Sequence, residues 1–171
     1  MPETPEGLLA RIAALGIESR TFRHAPVFTV AESQALRVGQ PGGHSKNLFL
    51  RPAKQSPGPH LLAVLQEDRQ VSINALARAA GAGRVEMAPA AELLALLGVL
   101  PGSVTPFGLV NAPPGTVRIV FDAGLLRDHE WVHFHPLVNS MTTAIRPADL
   151  LRFLESLGHR PERLEMPPPS I

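Results

Sequence analysis

Cysteine is absent from this 171-residue chain. That excludes disulfides and thiolate chemistry, and it suits a reducing cytosol. Tyrosine is absent as well and tryptophan occurs once, so an extended base-stacking platform is not expected. No segment approaches the roughly 18 uninterrupted apolar residues of a membrane span. No cationic start leads into an apolar run of the secretory kind. Both absences point to a cytoplasmic protein with no membrane partner. An excess of either charge is missing too: 16 basic residues stand against 15 acidic ones, and the net charge is +1. With no basic block, the chain is not built to grip a long nucleic-acid backbone, because nonspecific affinity grows with the number of phosphates neutralised. Contact with a short single-stranded end stays open. Lysine is also scarce: 14 arginines accompany only Lys46 and Lys54.

What is present describes one globular domain. Hydrophobic content is 44%, and the length allows a real core. No repeat or linker divides the chain, so the domain is taken as residues 1–166, with the proline-rich 167–171 as a disordered tail. Thr4, Pro5 and the stripe Leu8, Leu9, Ile12, Leu15 predict a first helix. Residues 18–23 read as a strand. Thr29-Val30-Ala31-Glu32 has the capping-box form and predicts a short helix through Leu36. Strands follow at 46–51 and 60–66, a helix at 73–80, a strand near 84–87 and a helix from Pro89 to Leu97 that stops at Gly98. Further strands are expected near 107–110, 117–122, 131–134 and 141–146, before a last helix beginning at Pro147. Strands and helices mix without regular alternation, which disfavours a doubly wound nucleotide fold.

Chemistry concentrates in three segments. Lys46 lies in Gly42-Gly43-His44-Ser45-Lys46-Asn47-Leu48-Phe49-Leu50, where a glycine-rich loop enters an apolar strand. Drift on a solvated surface is the bland reading. In a chain that otherwise uses arginine, a compact point charge on a flexible stem looks chosen for its chemistry. The second segment runs from Gly98 to Asn111 and contains Gly102-Ser103-Val104-Thr105-Pro106-Phe107; the third is His135-Pro136-Leu137-Val138-Asn139. In this order the three resemble the YbaK/ProX family of aminoacyl-tRNA editing domains, and most of all its freestanding branch that removes alanine from mischarged proline tRNA. The likeness spans His24 to Leu154, with Gly102 to Pro106 as the family's GxxxP loop.

The resemblance implies a mixed α/β fold: a strongly curved, barrel-like mixed sheet surrounded by helices. It implies an aminoacyl-tRNA deacylase that needs no cofactor and no metal. Its partner is the tRNA acceptor end, with prolyl-tRNA synthetase a further candidate. Lys46, Gly102 and Ser103 fall at the catalytic positions. Asn47, Val27, Phe28, Thr105, Pro106, Phe107, His135 and Asn139 fall around the substrate. An aminoacyl ester is already activated, so hydrolysis needs a positioned water and donors for the developing oxyanion more than a strong nucleophile. Backbone N–H groups of a Gly–Pro loop suit that task.

Other readings stand beside this one. His133 and His135 share one face of a strand and could reach one ion, with Asp128, His129 and Glu130 close in sequence, although a metal site needs a third ligand and a supporting shell. Ser45, Ser103 and Ser140 are candidate nucleophiles, none in a GxSxG elbow. His135 could equally be a structural histidine at a strand end, and Asn139 a turn residue. The same fold could act on cysteinyl- or seryl-tRNA, or could bind tRNA or a partner without catalysis.

Overall fold

The computed structural model describes residues 1–26 and 42–168. Helix α1 (Pro5–Ala14) starts as its sequence predicts: the Thr4 hydroxyl accepts from the Gly7 N–H at 3.0 Å, and Leu8 and Ile12 are buried. Strand β1 (Ser19–Arg23) follows. Beyond Gly42 come β2 (Gly43–Pro52), β3 (His60–Gln66), helix α2 (Ile73–Ala79), β4 (Val85–Met87) and helix α3 (Ala90–Leu97). The second half holds a 3-10 helix (Pro106–Asn111), β5 (Val117–Asp122), the short helix α4 (Ala123–Arg127), β6 (Val132–Phe134), β7 (Met141–Ile145), helix α5 (Pro147–Ser156) and β8 (Glu162–Leu164). Residues 165–168 carry no helix or strand. The helix expected at Thr29–Leu36 lies outside the described residues.

The eight strands among the described residues join one mixed sheet in the order β1-β7-β6-β2-β3-β5-β8, with β4 added to β2. The pairings β6·β2, β3·β5 and β5·β8 are parallel and the rest antiparallel. The sheet is mixed, as expected, but it is not closed: β1 and β8 end the path without pairing to each other.

Strand alternation divides the apolar residues into two cores. Phe49, Leu62, Val64, Ile119 and Phe121 face the larger one, with Leu8 and Ile12 of α1, Phe107, Phe134 and the α5 residues Leu150, Phe153 and Leu154. Leu50, Leu61, Ala63, Leu65 and Val120 face the smaller one, under Leu76 and Ala80. Because β3 is covered on both faces, its sequence reads as an unbroken apolar run. Each large side chain so buried contributes about 1.5–3 kcal/mol.

Two expectations change. The run 107–110 is not a strand but part of the 3-10 helix. Thr105 caps it, accepting from the Phe107 N–H at 3.2 Å, and Pro106 opens it. Proline has no N–H for a ladder, and its fixed φ suits a first helical position. The short elements α4 and β8 were not foreseen.

Candidate active site

The start of β2 is polar, and the strand period splits it between two faces. Lys46 shares the face of Leu48 and Leu50; Ser45 and Asn47 share that of Phe49. Lys46 is half-buried, and its ammonium donates to the backbone carbonyl of Arg69. Asn47 points the other way. Its Nδ2 donates to the Val104 carbonyl at 3.0 Å, and its Oδ1 accepts from Ser45 Oγ at 3.4 Å. The first of these bonds fastens the Gly102–Pro106 loop to β2.

That loop is exposed at one end and buried at the other. Gly102 is exposed with φ 91°, a left-handed conformation that side chains resist. The Ser103 N–H donates to Leu100 O at 3.0 Å, closing a turn, and Ser103 itself is buried. Val104 is half-buried, and its N–H has no hydrogen-bond partner among the described residues. Thr105, Pro106 and Phe107 are buried, and the Phe107 ring stands edge-on to Phe134 and Phe153 at 6.0 and 6.2 Å. The loop is therefore rigid where it enters the core and open where glycine sits.

The parallel pairing of β2 with β6 covers only Gly43↔Val132 and His44↔His133. Beyond it the strands part, and a cleft of about 70 Å³ opens between them, bordered by His44, Ser45, Asn47, His133, His135 and Thr142. The His44 and His133 rings lie 4.3 Å apart. His135 Nδ1 lies 2.8 Å from the Met141 carbonyl, which can only accept, so this nitrogen carries the proton and the neutral ring keeps Nε2 as an acceptor. Burial lowers the His135 pKa, opposed by the Met141 carbonyl and assisted by His24, whose ring is 6.1 Å away. His24 in turn meets Thr142 Oγ1 at 2.7 Å through Nε2.

Asn47 and His135 border this cleft, and Asn47 ties the GxxxP loop to β2 through the Val104 carbonyl. Lys46 lies on the opposite face of β2, against the Arg69 carbonyl, and is not among the residues that border the cleft. Asn139 is half-buried in the turn between β6 and β7, next to Leu137, which holds φ 72°. Thr105, Pro106 and Phe107 anchor the loop from within the core, while Val27 and Phe28 lie outside the described residues. Sequence reasoning missed His44 and Thr142. The i, i+2 spacing of His133 and His135 was visible, but nothing local shows that β2 runs beside β6.

Sequence reasoning also took an HExxH spacing to be absent, but His129-Glu130-Trp131-Val132-His133 has that form. That pattern gathers two imidazoles when carried on one helix face. Here the segment runs from the end of α4 into β6. The His129 ring lies where a Cβ on Gly43 would project, and the His133 ring where one on Gly42 would. Among the described residues no three His, Cys, Asp or Glu side chains form a metal-binding group. Of the candidate serines, Ser45 donates to Asn47 at 3.4 Å. Two larger depressions, of about 310 and 520 Å³, lie toward the opposite end of the sheet, where Arg118 is held by Glu162 at 2.6 Å.

No described helix is long and apolar enough to cross a membrane. The model of the aminoacyl-tRNA editing domain matches residues 24–153. Prolyl-tRNA synthetase associated domain-containing protein 1 of Bos taurus is 39% identical over 162 residues, covering 93% of each chain. The prolyl-tRNA editing protein ProX of Acetoanaerobium sticklandii is 28% identical over 164 residues, covering 96% of this chain and 98% of that one. A crystal structure described as a candidate trans-editing enzyme for prolyl-tRNA synthetase superposes with a TM-score of 0.69 over 95% of this chain and 94% of its own; at 20% identity it attests the fold alone. The chain belongs to the aminoacyl-tRNA editing domain family and is by that membership an aminoacyl-tRNA deacylase.

Proposed function

We propose that this chain hydrolyses the ester of alanine misattached to proline tRNA. The observation that carries the reading is the cleft between β2 and β6, with the GxxxP loop fastened beside it by Asn47. About 70 Å³ suits a small side chain. A synthetase pocket made for proline rejects a smaller amino acid weakly, because a missing methylene is worth only about 1–3 kcal/mol. A second site that admits alanine and excludes the proline ring supplies the rest. The relative named as a prolyl-tRNA editing protein supports the same assignment, and prolyl-tRNA synthetase is the enzyme whose errors such a site would correct.

In this reading the Val104 N–H and the dipoles of its loop stabilise the oxyanion of a water-derived tetrahedral intermediate. The Ser103 N–H is committed to Leu100 and acts by shaping the turn. His135 and Asn47 orient the aminoacyl group. Lys46 holds a phosphate or ribose oxygen of the terminal nucleotide. The test is a turnover panel: alanyl-, cysteinyl- and prolyl-tRNA(Pro), with seryl-tRNA. Alanyl-tRNA(Pro) should be cleaved at least about tenfold faster than the others, and prolyl-tRNA(Pro) spared. Faster cleavage of the cysteinyl or seryl ester would reassign the substrate. Inertness toward all four would leave a tRNA-binding module.

A further inference from the structure

Asp122 ends β5 and is fully buried. A buried carboxylate is costly unless its lone pairs are answered. Four donors answer this one: the Gln66 and Gly124 N–H groups, each at 3.1 Å, and Arg69 through Nε at 2.9 Å and Nη2 at 3.1 Å. The two arginine contacts form a bidentate fork, which fixes direction as well as distance. Gln66 and Arg69 also bracket one tight turn at the end of β3, where the Arg69 N–H donates to Gln66 O at 3.0 Å. The carboxylate thus grips both ends of that turn. What the turn presents is a carbonyl: Arg69 O, which accepts from the Lys46 ammonium.

We propose that Asp122 and Arg69 are positioning residues for Lys46. The ion pair fixes the Arg69 carbonyl, the carbonyl fixes the ammonium, and two N–H donors remain for the substrate. Pairing also keeps the carboxylate from competing for the ammonium, since its oxygens are already occupied. The carboxylate holds the Arg69 guanidinium above its usual pKa range. This inference rests on the reading of Lys46 as the group that holds the terminal nucleotide.

The scarcity of lysine supplies the test. Lys54 is exposed and serves as an internal reference for Lys46. Trace labelling with acetic anhydride, read by mass spectrometry, gives the Lys46:Lys54 reactivity ratio in the wild-type chain and in Asp122→Asn, a change that keeps an acceptor oxygen for Gln66. Arg69→Gln is the second variant, and circular dichroism selects whichever is folded. The ratio should rise at least about threefold as the ammonium is released. Deacylation should fall about tenfold, yet the same change should cost nothing further in a Lys46→Ala background. An unchanged ratio in the folded variants, or an equal loss of rate in both backgrounds, overturns the proposal. A raised ratio with undiminished turnover upholds the positioning and removes Lys46 from nucleotide binding.

Discussion

At the scale of single residues, Lys46 spends one of its three donors on a backbone carbonyl and keeps the others. Lys46→Ala should therefore lower kcat/KM for alanyl-tRNA(Pro) at least about tenfold, the equivalent of ~1.4 kcal/mol of transition-state stabilisation, with an unchanged melting curve. Lys46→Arg should recover only part of the rate, because a planar fork does not replace a point charge. An alanine variant with wild-type activity would end the anchoring role. Ser103 and Gly102 separate two mechanisms. The hydroxyl at 103 is dispensable if backbone groups do the work, so Ser103→Ala should lose only modestly. Gly102 has φ 91°, and a Cβ there costs about 1–3 kcal/mol of strain, so Gly102→Ala should be the slower enzyme. An acyl group trapped on Ser103, with Gly102→Ala fully active, would replace this mechanism by a covalent one. His135 carries a pH signature. Its folded pKa lies below the ordinary 6.5, so between those two values the unfolded chain binds more protons, and stability falls as pH drops through that window. Melting temperature should decline from pH 7.5 toward pH 5.5, and His135→Gln should flatten that slope.

At the scale of elements, the 3-10 helix and α3 form a support for the GxxxP loop. Asn111 ties three pieces together: its Nδ2 donates to Leu97 O at 2.8 Å, and its Oδ1 accepts from the Glu3 N–H at 2.8 Å. Gly98, with φ 67°, ends α3 where a Cβ would lie 2.5 Å from that amide. His159 closes the far side, its Nε2–H donating to Leu109 O at 2.9 Å. Asn111→Ala leaves a buried acceptor and an N–H without partners and should cost about 1–3 kcal/mol, read as a lowered urea midpoint. A midpoint within error of the wild type would show that the strut carries no load. Sequence periodicity found α1, α3, α5 and β3, because each buries a regular stripe or an unbroken run. It misread 107–110, where apolar residues sit between Pro106 and Asn111: hydrophobicity alone does not separate a strand from a short helix, and the cap at Thr105 decides. It missed β8, whose Glu162-Arg163-Leu164 pairs at an edge and needs little apolar content.

For the whole molecule, β2 is the seam. One edge pairs with β3; the other serves β6 at its start and β4 at its end, and the cleft opens where β2 and β6 part. The motif segments were legible because each concentrates glycine, proline or histidine within a few residues. Their meeting was not legible, and neither was the Asp122–Arg69 clamp, because these contacts join residues far apart in the chain and strand order cannot be read from local pattern. Topology also gives the enzyme a timetable. His44 and His133 are 89 positions apart, and ribosomes add roughly 5–20 residues per second. His44 is therefore translated on the order of ten seconds before His133, which stands on the second wall of the cleft. A chain whose synthesis stalls before β6 lacks one wall of that cleft, so a fragment ending at Glu130 should show no deacylation in the turnover panel.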